Sequence, residues 1–332
     1  MRAKLKDIAK ELNLSVSTIS RVVNGKDRVD PQTRRTVLKA LENYGYKPNE
    51  IARSLRLRTA KTIVIVVPDI ANNYYASIIK GAQAVCRENG YSVMVCNSDE
   101  NRVQEREILS AFPNQQIAGM ILASVDSSAN LVQHFQKEGM PVVYVDNMPP
   151  ATQSYDSVAI NNVATAYTLT QKVIERGYSK IGFITGDLEQ SSGSERLAGY
   201  KQALQDAAVA YDEKRVAIGD FKMQSGYRGM SQLLEKGGKL DAVIVSNNFM
   251  AYGAIKKIRE AGLAIPEDIA IAAFDLVDET ELIYPKVTSI NQPATEIGEC
   301  AADILLMRIT TQPDGTYNKR FLDTIFLPGE SW

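Results

Sequence analysis

The sequence predicts a small all-helical unit followed by a larger α/β body built from two doubly wound parallel sheets. Two observations support this fold class. The first 61 of the 332 residues hold 15 Lys and Arg against 6 Asp and Glu, whereas the remainder holds 23 against 33. From Thr62 onward, short apolar runs alternate with amphipathic stretches of helical length, which is typical of βα units. The basic head is expected to meet a polyanion, and the acidic body is not.

The composition indicates an ordinary soluble protein that stays in the cytoplasm. The hydrophobic fraction is 45% and the charged fraction 23%, as is usual for a globular chain. Cys86, Cys96 and Cys300 are far apart and match no metal-binding spacing, so we expect a reducing compartment and no metal or other cofactor. The N-terminus lacks the apolar core of a signal peptide, and no apolar run reaches the roughly 20 residues of a membrane span.

Three short helices are predicted in the head. Residues 6–13 form the first, and residues 16–24 form the second behind the capping residue Ser15. The third begins at Pro31, a residue favoured in the first helical turn. Its inward-facing residues are expected to be Val37, Leu38 and Leu41. A further short helix is predicted over 50–58, in the connection to the body.

The second helix combines an apolar face with a face of short polar side chains. Ile19 and Val22 can pack on the other helices of the head. Ser17, Arg21 and Asn24 share the opposite face through their i, i+4, i+7 spacing. Short side chains fit a DNA major groove, and an arginine can hydrogen-bond the edge of a guanine with two N–H groups. The pattern therefore predicts a DNA-recognition helix.

The body contains seven predicted strands before residue 275, with a last strand at 321–327. The seven are 63–67, 93–96, 120–123, 142–145, 181–185, 243–245 and 269–274. Amphipathic helices lie between them, and one more helix is predicted over 293–309. The units fall into two similar sets, so we expect two lobes with space for a ligand at the carboxyl ends of their strands.

The sequence resembles the lactose-repressor/galactose-repressor (LacI/GalR) family of bacterial transcription regulators over essentially its whole length. The resemblance rests on Asp7-Ile8-Ala9 and on the runs 14–25, 46–49 and 51–55. It implies a body of the periplasmic sugar-binding-protein type. It also implies a repressor that binds a palindromic operator in double-stranded DNA as a homodimer, with its affinity controlled by a small sugar or sugar-acid effector. Whether the effector releases or promotes DNA binding does not follow from the resemblance.

The resemblance also implies the domain boundaries. A helix-turn-helix domain is expected over 1–48, a hinge helix and linker over 49–61, and an effector-binding and dimerisation domain over 62–332. Within that domain, lobe one is expected over about 62–160 and 292–320, and lobe two over about 161–291 and 321–332.

The DNA contacts implied by the resemblance lie in the head and the hinge. Val16 and Ser17 occupy the variable base-reading positions, and Arg21 occupies the constant one. Leu55 occupies the position that wedges into the minor groove, where an apolar side chain partly unstacks a base step and bends the duplex. The full set is Lys4, Ser15, Val16, Ser17, Thr18, Ser20, Arg21, Asn24, Asn49, Arg53, Leu55 and Arg56.

The effector contacts implied by the resemblance follow strand ends in the body. They are Tyr74, Asp146, Arg196, Asn247, Phe249, Asp275 and Gln292. Carboxylates accept hydrogen bonds from paired hydroxyls, arginine and asparagine donate to oxygens, and aromatic rings stack on the apolar face of a sugar. Asn73, Asn147 and Asn248 replace residues common in the family, and two of these changes remove a formal charge. Arg196 could pair with a ligand carboxylate, so a sugar acid stays open.

Three other functions compete with this one. A secreted sugar-binding protein is not expected, because the sequence has a DNA-recognition helix and no signal-peptide pattern. The single histidine, His134, lies within a predicted helix, and no phosphate loop, dinucleotide fingerprint or nucleophile elbow is present, so an enzyme is not expected. The alternative is a DNA-binding regulator controlled by a phosphocarrier protein, as in the catabolite-control branch of the family. The stretch 275–285 disfavours an anionic partner, because it holds Asp278, Glu279 and Glu281 but no Lys or Arg in its acidic part.

Overall fold

The computed structural model describes residues 5–23, 29–44, 60–126, 130–149, 154–277, 282–311 and 315–332. The chain forms two compact units, residues 1–60 and residues 61–332. The smaller unit, the head, contains α1 (Leu5–Glu11), α2 (Val16–Val23) and α3 (Pro31–Asn43). Each of these helices begins within one residue of its predicted start.

A small apolar core holds the head together. Ile8 from α1, Ile19 from α2 and Val37 from α3 are fully buried in one cluster. The prediction that Leu38 faces inward is wrong, since its side chain is 51% exposed. Successive residues of an α-helix are about 100° apart, so a helix that turns Val37 fully inward directs Leu38 to its flank.

The first lobe of the body is a six-stranded parallel sheet with helices on both faces. Its strands are β1 (Thr62–Val67), β2 (Ser92–Asn97), β3 (Gly119–Leu122), β4 (Val142–Val145), β5 (Asp156–Ala159) and β11 (Lys319–Phe321). Their order across the sheet is β11-β5-β4-β3-β1-β2. Its helices are α4 (Asn73–Glu88), α5 (Arg102–Ser110), α6 (Asn130–Lys137) and α11 (Ala294–Thr310), with a 3-10 turn at Phe112–Asn114.

The second lobe repeats this architecture. Its strands are β6 (Ile181–Thr185), β7 (Val216–Ile218), β8 (Ala242–Val245), β9 (Ala270–Phe274), β10 (Thr288–Asn291) and β12 (Ile325–Leu327). Their order is β12-β10-β9-β8-β6-β7, and β12 alone runs antiparallel to its neighbour. Its helices are α7 (Asn162–Glu175), α8 (Ser191–Asp206), α9 (Met223–Lys236) and α10 (Asn248–Glu260), with a 3-10 turn at Glu213–Arg215.

Alternate residues of the central strands face the two helical layers. In β1, Ile63, Ile65 and Val67 belong to one core cluster with residues of α4 and α11. Val64 and Val66 belong to a second cluster on the other face, with residues of α5 and α6. All five side chains are fully buried. Burial on both faces explains why this strand reads as a continuous apolar run in the sequence.

Two glycines let α4 and α11 pack closely. A Cβ atom on Gly298 would lie 2.0 Å from the carbonyl oxygen of Ile78, and one on Gly81 would lie 2.1 Å from that of Thr295. Both distances are far shorter than a van der Waals contact, so any larger residue would force the helices apart. This packing fixes the start of α11, which follows directly on a passage of the chain between the lobes.

The chain passes between the lobes three times: after β5, after β10, and between β11 and β12. The last passage corrects a prediction, because the single strand expected over 321–327 is two strands, one in each sheet. The chain leaves the edge of the first sheet at Phe321 and joins the edge of the second at Ile325, and residues 322–324 connect them. The predicted set also lacked β5, β7 and β10, which have only three or four residues each.

Candidate functional site

The exposed face of α2 carries the residues that were predicted to read DNA. Ser17 and Arg21 are exposed, as is Val16 at the start of the helix. On the opposite face, Ile19 and Val22 are buried in the core of the head. The helix therefore presents short side chains and one arginine outward, which is the arrangement of a helix that lies in a major groove.

Ser15 holds the first turn of α2. Its hydroxyl oxygen accepts the backbone N–H of Thr18 at 3.1 Å and lies 2.6 Å from the hydroxyl oxygen of Ser17. A cap of this kind satisfies a backbone donor that would otherwise be unpaired, and it determines where the helix begins. The cap thus places Val16 and Ser17 in the first turn, where base-reading side chains are expected.

Several predicted DNA contacts lie outside the residues that the structure describes. They are Lys4, Asn24, Asn49, Arg53, Leu55, Arg56 and the side chain of Ser20. The predicted hinge helix and linker, 49–61, is described only from residue 60 onward. The roles of these residues stay predictions from the resemblance.

A cavity lies between the two lobes of the body, at the carboxyl ends of their strands. Its lining residues are Asn72, Tyr74, Tyr75, Glu100, Asp146, Ser192, Arg196, Phe221, Asn247, Asn248, Asp275 and Gln292. The structure brings together six of the seven residues predicted to contact an effector, since only Phe249 is absent from this lining. The lobes place them there because open parallel sheets gather the residues that follow their strands at one edge.

Asp146 follows β4 and reaches into the cavity from the first lobe. The Tyr75 hydroxyl donates to its Oδ2 at 2.8 Å, and the Tyr74 hydroxyl lies 3.3 Å from its Oδ1 and 2.9 Å from Oε1 of Gln292. Burial raises the pKa of Asp146, and the charge of Arg196 and the two tyrosine hydroxyls oppose that rise. The tyrosines therefore fix the direction of the carboxyl group.

Asp275 occupies the corresponding place after β9 in the second lobe. Gln292 donates its backbone N–H to Oδ1 and its Nε2–H to Oδ2, both at 2.8 Å. Burial raises the pKa of Asp275, while Arg196 and the two Gln292 donors lower it. Because Gln292 lies where the chain leaves β10 for α11, the carboxyl group is tied to a passage between the lobes.

Arg196 brings the only cationic group among the lining residues. Its Nε donates to Oδ1 of Asn162 at 2.8 Å, and its Nη1 donates to the carbonyl oxygen of Ser246 at 2.5 Å. The guanidinium also lies 4.5 Å from the centre of the Phe274 ring. These contacts hold the side chain rigidly on α8, and it is 2% exposed.

Asn247 and Phe249 differ from the predicted arrangement in their contacts. Asn247 lines the cavity, but its side chain accepts the N–H of Met250 at 2.9 Å and donates to the carbonyl oxygen of Phe221 at 2.8 Å. It thus caps α10 and holds the loop after β7. Phe249 does not line the cavity, and the centre of its ring lies 6.2 Å from that of the Tyr252 ring. As the second residue of α10, it faces a different direction from Asn248.

Six lining residues were not among the predicted effector contacts: Asn72, Tyr75, Glu100, Ser192, Phe221 and Asn248. Glu100 and Phe221 lie in loops after β2 and β7, the strands at one edge of each sheet. The rule for open parallel sheets places ligands at the ends of central strands, so it does not predict residues that follow edge strands. The signal that could have found Glu100 is its place in the acidic, turn-like run Ser98-Asp99-Glu100-Asn101 after an apolar strand.

Four lining residues adopt the left-handed backbone conformation, which non-glycine residues rarely use. Their φ angles are 54° at Glu100, 63° at Asp146, 61° at Phe221 and 56° at Asp275. Such backbone costs roughly 1–3 kcal/mol at each residue and concentrates at ligand sites. The concentration of this conformation at one cavity supports a binding role for it.

The cavity is contracted in this conformation. Its volume is about 20 Å³, which accommodates a water molecule but not a sugar. A larger cavity of about 450 Å³ adjoins it and shares Tyr74, Asn248, Asp275 and Gln292. A sugar-sized ligand therefore needs the lining side chains or the two lobes to move apart.

Polar contacts hold the lobes together around the cavity. Asn147 Nδ2 donates to Oε1 of Gln190 at 2.8 Å, and Asn147 Oδ1 accepts the N–H of Ser192 at 3.1 Å. At the rim, Arg102 of the first lobe forms ion pairs with Asp187 and Glu189 of the second. The neutral hydrogen bonds and the ion pairs both connect one lobe to the other, so they stabilise the contracted state.

The head and the cavity define the class of this protein. It combines a helix-turn-helix DNA-binding unit with a two-lobed ligand-binding body, and this combination is that of a transcription regulator. Within the described parts of the chain, no group of three or more His, Cys, Asp and Glu residues could hold a metal ion. No helix there is long and apolar enough to cross a bilayer. His134 is exposed on α6 and lies outside the cavity.

Comparison with known proteins gives the family. Residues 4–49 match the family described as bacterial regulatory proteins, lacI family. Residues 60–329 match the periplasmic binding proteins and sugar binding domain of LacI family. The chain therefore belongs to the LacI family and is a DNA-binding transcription regulator. Members of this family are regulators and not enzymes.

Individual relatives agree with this assignment. The chain is 32% identical over 306 residues to catabolite control protein A of Priestia megaterium, and the match covers 92% of each chain. It is 31% identical over 308 residues to the repressor PurR of Aliivibrio salmonicida, again over 92% of each chain.

Solved structures share the fold. The complex of transcriptional regulator CelR with cellobiose is 31% identical, with a TM-score of 0.74 and full coverage of both chains. The lac repressor dimer bound to operator and the anti-inducer ONPF is 22% identical, with a TM-score of 0.87 and coverage of 100% of this chain and 99% of that one. The second likeness concerns the fold alone.

Proposed function

We propose that this protein represses transcription in the bacterial cytoplasm, where the chromosome lies, by binding a palindromic operator as a homodimer. The exposed arginine on the outer face of α2, Arg21, is the observation on which this proposal depends most. Two copies of a head that reads one half-site require a two-fold axis, and a two-fold operator matches it. Light scattering at micromolar concentration should give the mass of a dimer, and a monomer or tetramer would contradict the proposal.

We propose that the DNA contacts are those implied by the family resemblance. The full set is Lys4, Ser15, Val16, Ser17, Thr18, Ser20, Arg21, Asn24, Asn49, Arg53, Leu55 and Arg56. Support comes from the exposed residues of the first turn of α2 and from Arg21 one turn later. The remaining contacts rest on the resemblance and on the basic charge of the head.

The test of base reading is Arg21→Ala. A bidentate contact to a base is worth about 1–3 kcal/mol, so operator affinity should fall about 5- to 150-fold and the preference at one base pair of each half-site should relax. Arg35→Ala removes the same charge from an exposed site on α3 and serves as the matched control. Equal losses of Arg21→Ala on operator and on random DNA would make Arg21 a phosphate contact instead.

We propose that the cavity between the lobes binds a small sugar or sugar-derived effector. The proposed contacts are Tyr74, Asp146, Arg196, Asn247, Asp275 and Gln292, which share one cavity. CelR was solved with cellobiose, and a LacI-family regulator from Enterococcus faecium was solved with bound ribose. These ligands belong to those proteins, and they support the same ligand class here.

A thermal-shift screen with pentoses, hexoses, disaccharides and their amino and acid derivatives tests the effector proposal. A ligand that binds only the folded protein raises its melting temperature. Asp275→Ala should abolish the shift, because Asp275 lines both this cavity and the adjoining one. Phe249→Ala should keep it, because Phe249 lines neither this cavity nor the adjoining one. Loss of the shift in Phe249→Ala alone would place the ligand elsewhere.

A phosphocarrier protein is the second candidate for the controlling partner. One relative, at 32% identity, is named catabolite control protein A. The exposed side of α11 carries Glu296, Glu299 and Asp303, so this helix offers an acidic face to a partner. That charge disfavours an anionic phosphoprotein. A pull-down with serine-phosphorylated carrier protein discriminates between the candidates, since capture would favour the second.

A further inference from the structure

Three carboxyl groups converge on the cavity between the lobes without an ion-pair partner. Glu100, Asp146 and Asp275 all line it, and none of them forms a salt bridge within 4.0 Å in the described part of the chain. The donors that reach Asp146 and Asp275 are neutral hydroxyl and amide groups. Buried carboxylates are costly unless a cation compensates them.

Arg196 compensates this charge only in part. Its Nε and Nη1 are directed at Asn162 and at the carbonyl oxygen of Ser246. Its Nη2 is buried and has no hydrogen-bond partner among the described residues. A buried guanidinium N–H without an acceptor is itself unfavourable, so this atom is available to an oxygen of a ligand. The lining thus carries three carboxyl groups against one guanidinium.

Lys222 is a further cation near the cavity, and its charge acts on Glu100. Its Nζ lies 2.9 Å from the carbonyl oxygen of Asp99 and 3.4 Å from Oδ1 of that residue. It therefore stabilises the neighbouring loop and forms no ion pair with Glu100. The carboxyl groups of the lining therefore outnumber its cationic groups.

Glu100 is the carboxyl group of the lining that the sequence did not predict. Its Oε2 accepts a hydrogen bond from Nε2 of Gln190 at 3.2 Å. Burial raises the pKa of Glu100 to about 8, the charges of Asp146 and Asp69 add to the rise, and Gln190 and Lys222 oppose it. At pH 7 the carboxyl group therefore keeps its proton until a cation replaces it.

We propose that the effector is a hydroxylated amine, such as an amino sugar, whose ammonium group binds between Glu100 and Asp146. A hydroxyl or ring oxygen of the same molecule accepts from Nη2 of Arg196. This inference rests on the proposed effector function of the cavity and specifies its ligand. An ammonium supplies the charge that the three carboxyl groups lack, and its N–H groups match their lone pairs.

The same set of charged groups disfavours sugar acids and sugar phosphates as effectors. An added anion would meet one unpaired nitrogen of Arg196, Nη2, and the three carboxyl groups of the lining. Like charges in a desolvated site repel strongly, so anionic ligands are selected against. The open option of a sugar acid, which rested on Arg196 alone, is therefore disfavoured by Glu100.

The experiment compares ligands that differ only in charge. Calorimetric titration uses the 2-amino-2-deoxy hexoses, the parent hexoses and the corresponding hexuronic acids of the gluco, galacto and manno configurations. An amino sugar should bind the wild-type protein most tightly, and the hexuronic acids should not bind. Glu100→Gln should weaken the amino sugar about 10- to 100-fold, the range for a charge-assisted hydrogen bond, and leave the parent hexose unchanged.

Proton release gives a second readout. At pH 7 an ammonium that binds beside Glu100 expels its proton, so the heat of binding varies with the ionisation enthalpy of the buffer in wild type and not in Glu100→Gln. Glu107→Gln, an exposed charge on α5, is the matched control and should behave like wild type. If a parent hexose binds as tightly as its amine, or Glu100→Gln changes neither readout, the inference is wrong while the effector site stands. If no member of the panel binds, the amino-sugar inference is wrong, and the wider thermal-shift screen decides the effector proposal separately.

Discussion

The side-chain amides of Asn72 and Asn248 hydrogen-bond to each other in both directions across the cavity. Asn72 Nδ2 donates to Asn248 Oδ1 at 3.1 Å, and Asn248 Nδ2 donates to Asn72 Oδ1 at 2.9 Å. Asn72 caps α4 in the first lobe, and Asn248 begins α10 in the second. Both side chains are buried. The amide pair therefore ties the first turn of a helix in one lobe to the first turn of a helix in the other.

Replacement of Asn248 with alanine tests the strength of this tie. The change leaves the buried Nδ2 of Asn72 without its acceptor, and an unsatisfied buried donor costs about 1–3 kcal/mol. We expect the free energy of unfolding of the body to fall by that amount in urea denaturation. Asn89→Ala, at an exposed helix end where the side chain bonds only Val85 O, is the control and should change little. Equal effects of the two variants would show that the amide pair adds no stability.

Much of the fold could be predicted because the sheets bury both faces. Central strands such as β1 consist of uninterrupted apolar residues, which makes them visible in the sequence. β5 and β10 are fully buried but include Asp156, Ser157, Thr288, Ser289 and Asn291. Their polar groups are satisfied by tertiary hydrogen bonds that a local pattern cannot reveal. The sequence did not predict the passage between β11 and β12 for a similar reason. Which sheet a strand joins depends on its neighbours in the folded chain and not on its own sequence pattern.

The site could be predicted where strand order alone determines it. Asp146 and Asp275 follow central strands, so the rule for parallel sheets identifies both. Glu100 belongs to a loop that reaches the cavity only because of its left-handed backbone and its contact with Gln190 across the lobes. Neither feature leaves a local signature in the sequence. For Asn247, the sequence predicted the position but not that helix capping occupies its side chain.

A second prediction concerns the ion pair that anchors α11 to β5. Arg308 donates from Nε and Nη2 to the two carboxylate oxygens of Asp156, each at 2.9 Å, and Asn318 N–H also donates to that carboxylate. The pair is nearly buried. Arg308→Met leaves a buried carboxylate without its cation, so we expect a loss of about 3–5 kcal/mol in the free energy of unfolding.

The control for Arg308→Met is Arg106→Met. Arg106 pairs with Asp126 at 2.5 Å, and the Arg106 side chain is 54% exposed. A pair whose cation stays solvated contributes about 1 kcal/mol or less, so this variant should stay close to wild type in the same urea titration. A loss in Arg308→Met no larger than in Arg106→Met would mean that the buried pair does not anchor the helix.

A third prediction concerns the ion pairs at the rim. Arg102 joins the first lobe to Asp187 and Glu189 of the second, whereas Arg106, one turn along α5, pairs within its own lobe. Arg102→Gln should speed amide hydrogen exchange in residues 187–190 about five-fold. This factor corresponds to a loss of about 1 kcal/mol in the free energy that holds the two lobes closed. Arg106→Gln should not. Exchange in wild type should also rise with salt, because exposed ion pairs are screened. Identical exchange in the two variants would exclude a role for Arg102 in lobe closure.

A fourth prediction concerns pH. The pKa of Glu100 is raised to about 8 in the folded protein, above about 4.3 for an unfolded glutamate. Between these values the folded state holds a proton that the unfolded state has released, so this contribution to stability declines as pH rises and is lost above pH 8. The melting temperature of wild type minus that of Glu100→Gln should therefore fall between pH 6 and pH 9. Both proteins contain Asp146, Asp69 and Lys222, so the contributions of these groups cancel in the difference between the two melting temperatures. Parallel melting curves would mean that Glu100 does not titrate in this range.

The last prediction concerns the hinge and tests whether it bends DNA. By family resemblance, we expect Leu55 from each subunit to wedge between base pairs at the centre of the operator, where burial of its apolar side chain offsets the unstacking of a base step. Leu55→Ala should cost about 2 kcal/mol per subunit in operator binding, the value of burying a leucine side chain, and should reduce the bend seen by gel mobility or fluorescence transfer between the operator ends. Leu57→Ala removes the same side chain two positions along and is the matched control. The thermal unfolding of the body should be unchanged in both variants, since both positions precede the body, residues 61–332. If Leu55→Ala binds and bends the operator like Leu57→Ala, the segment 49–61 is a tether, and control of DNA binding must reach the heads by another route.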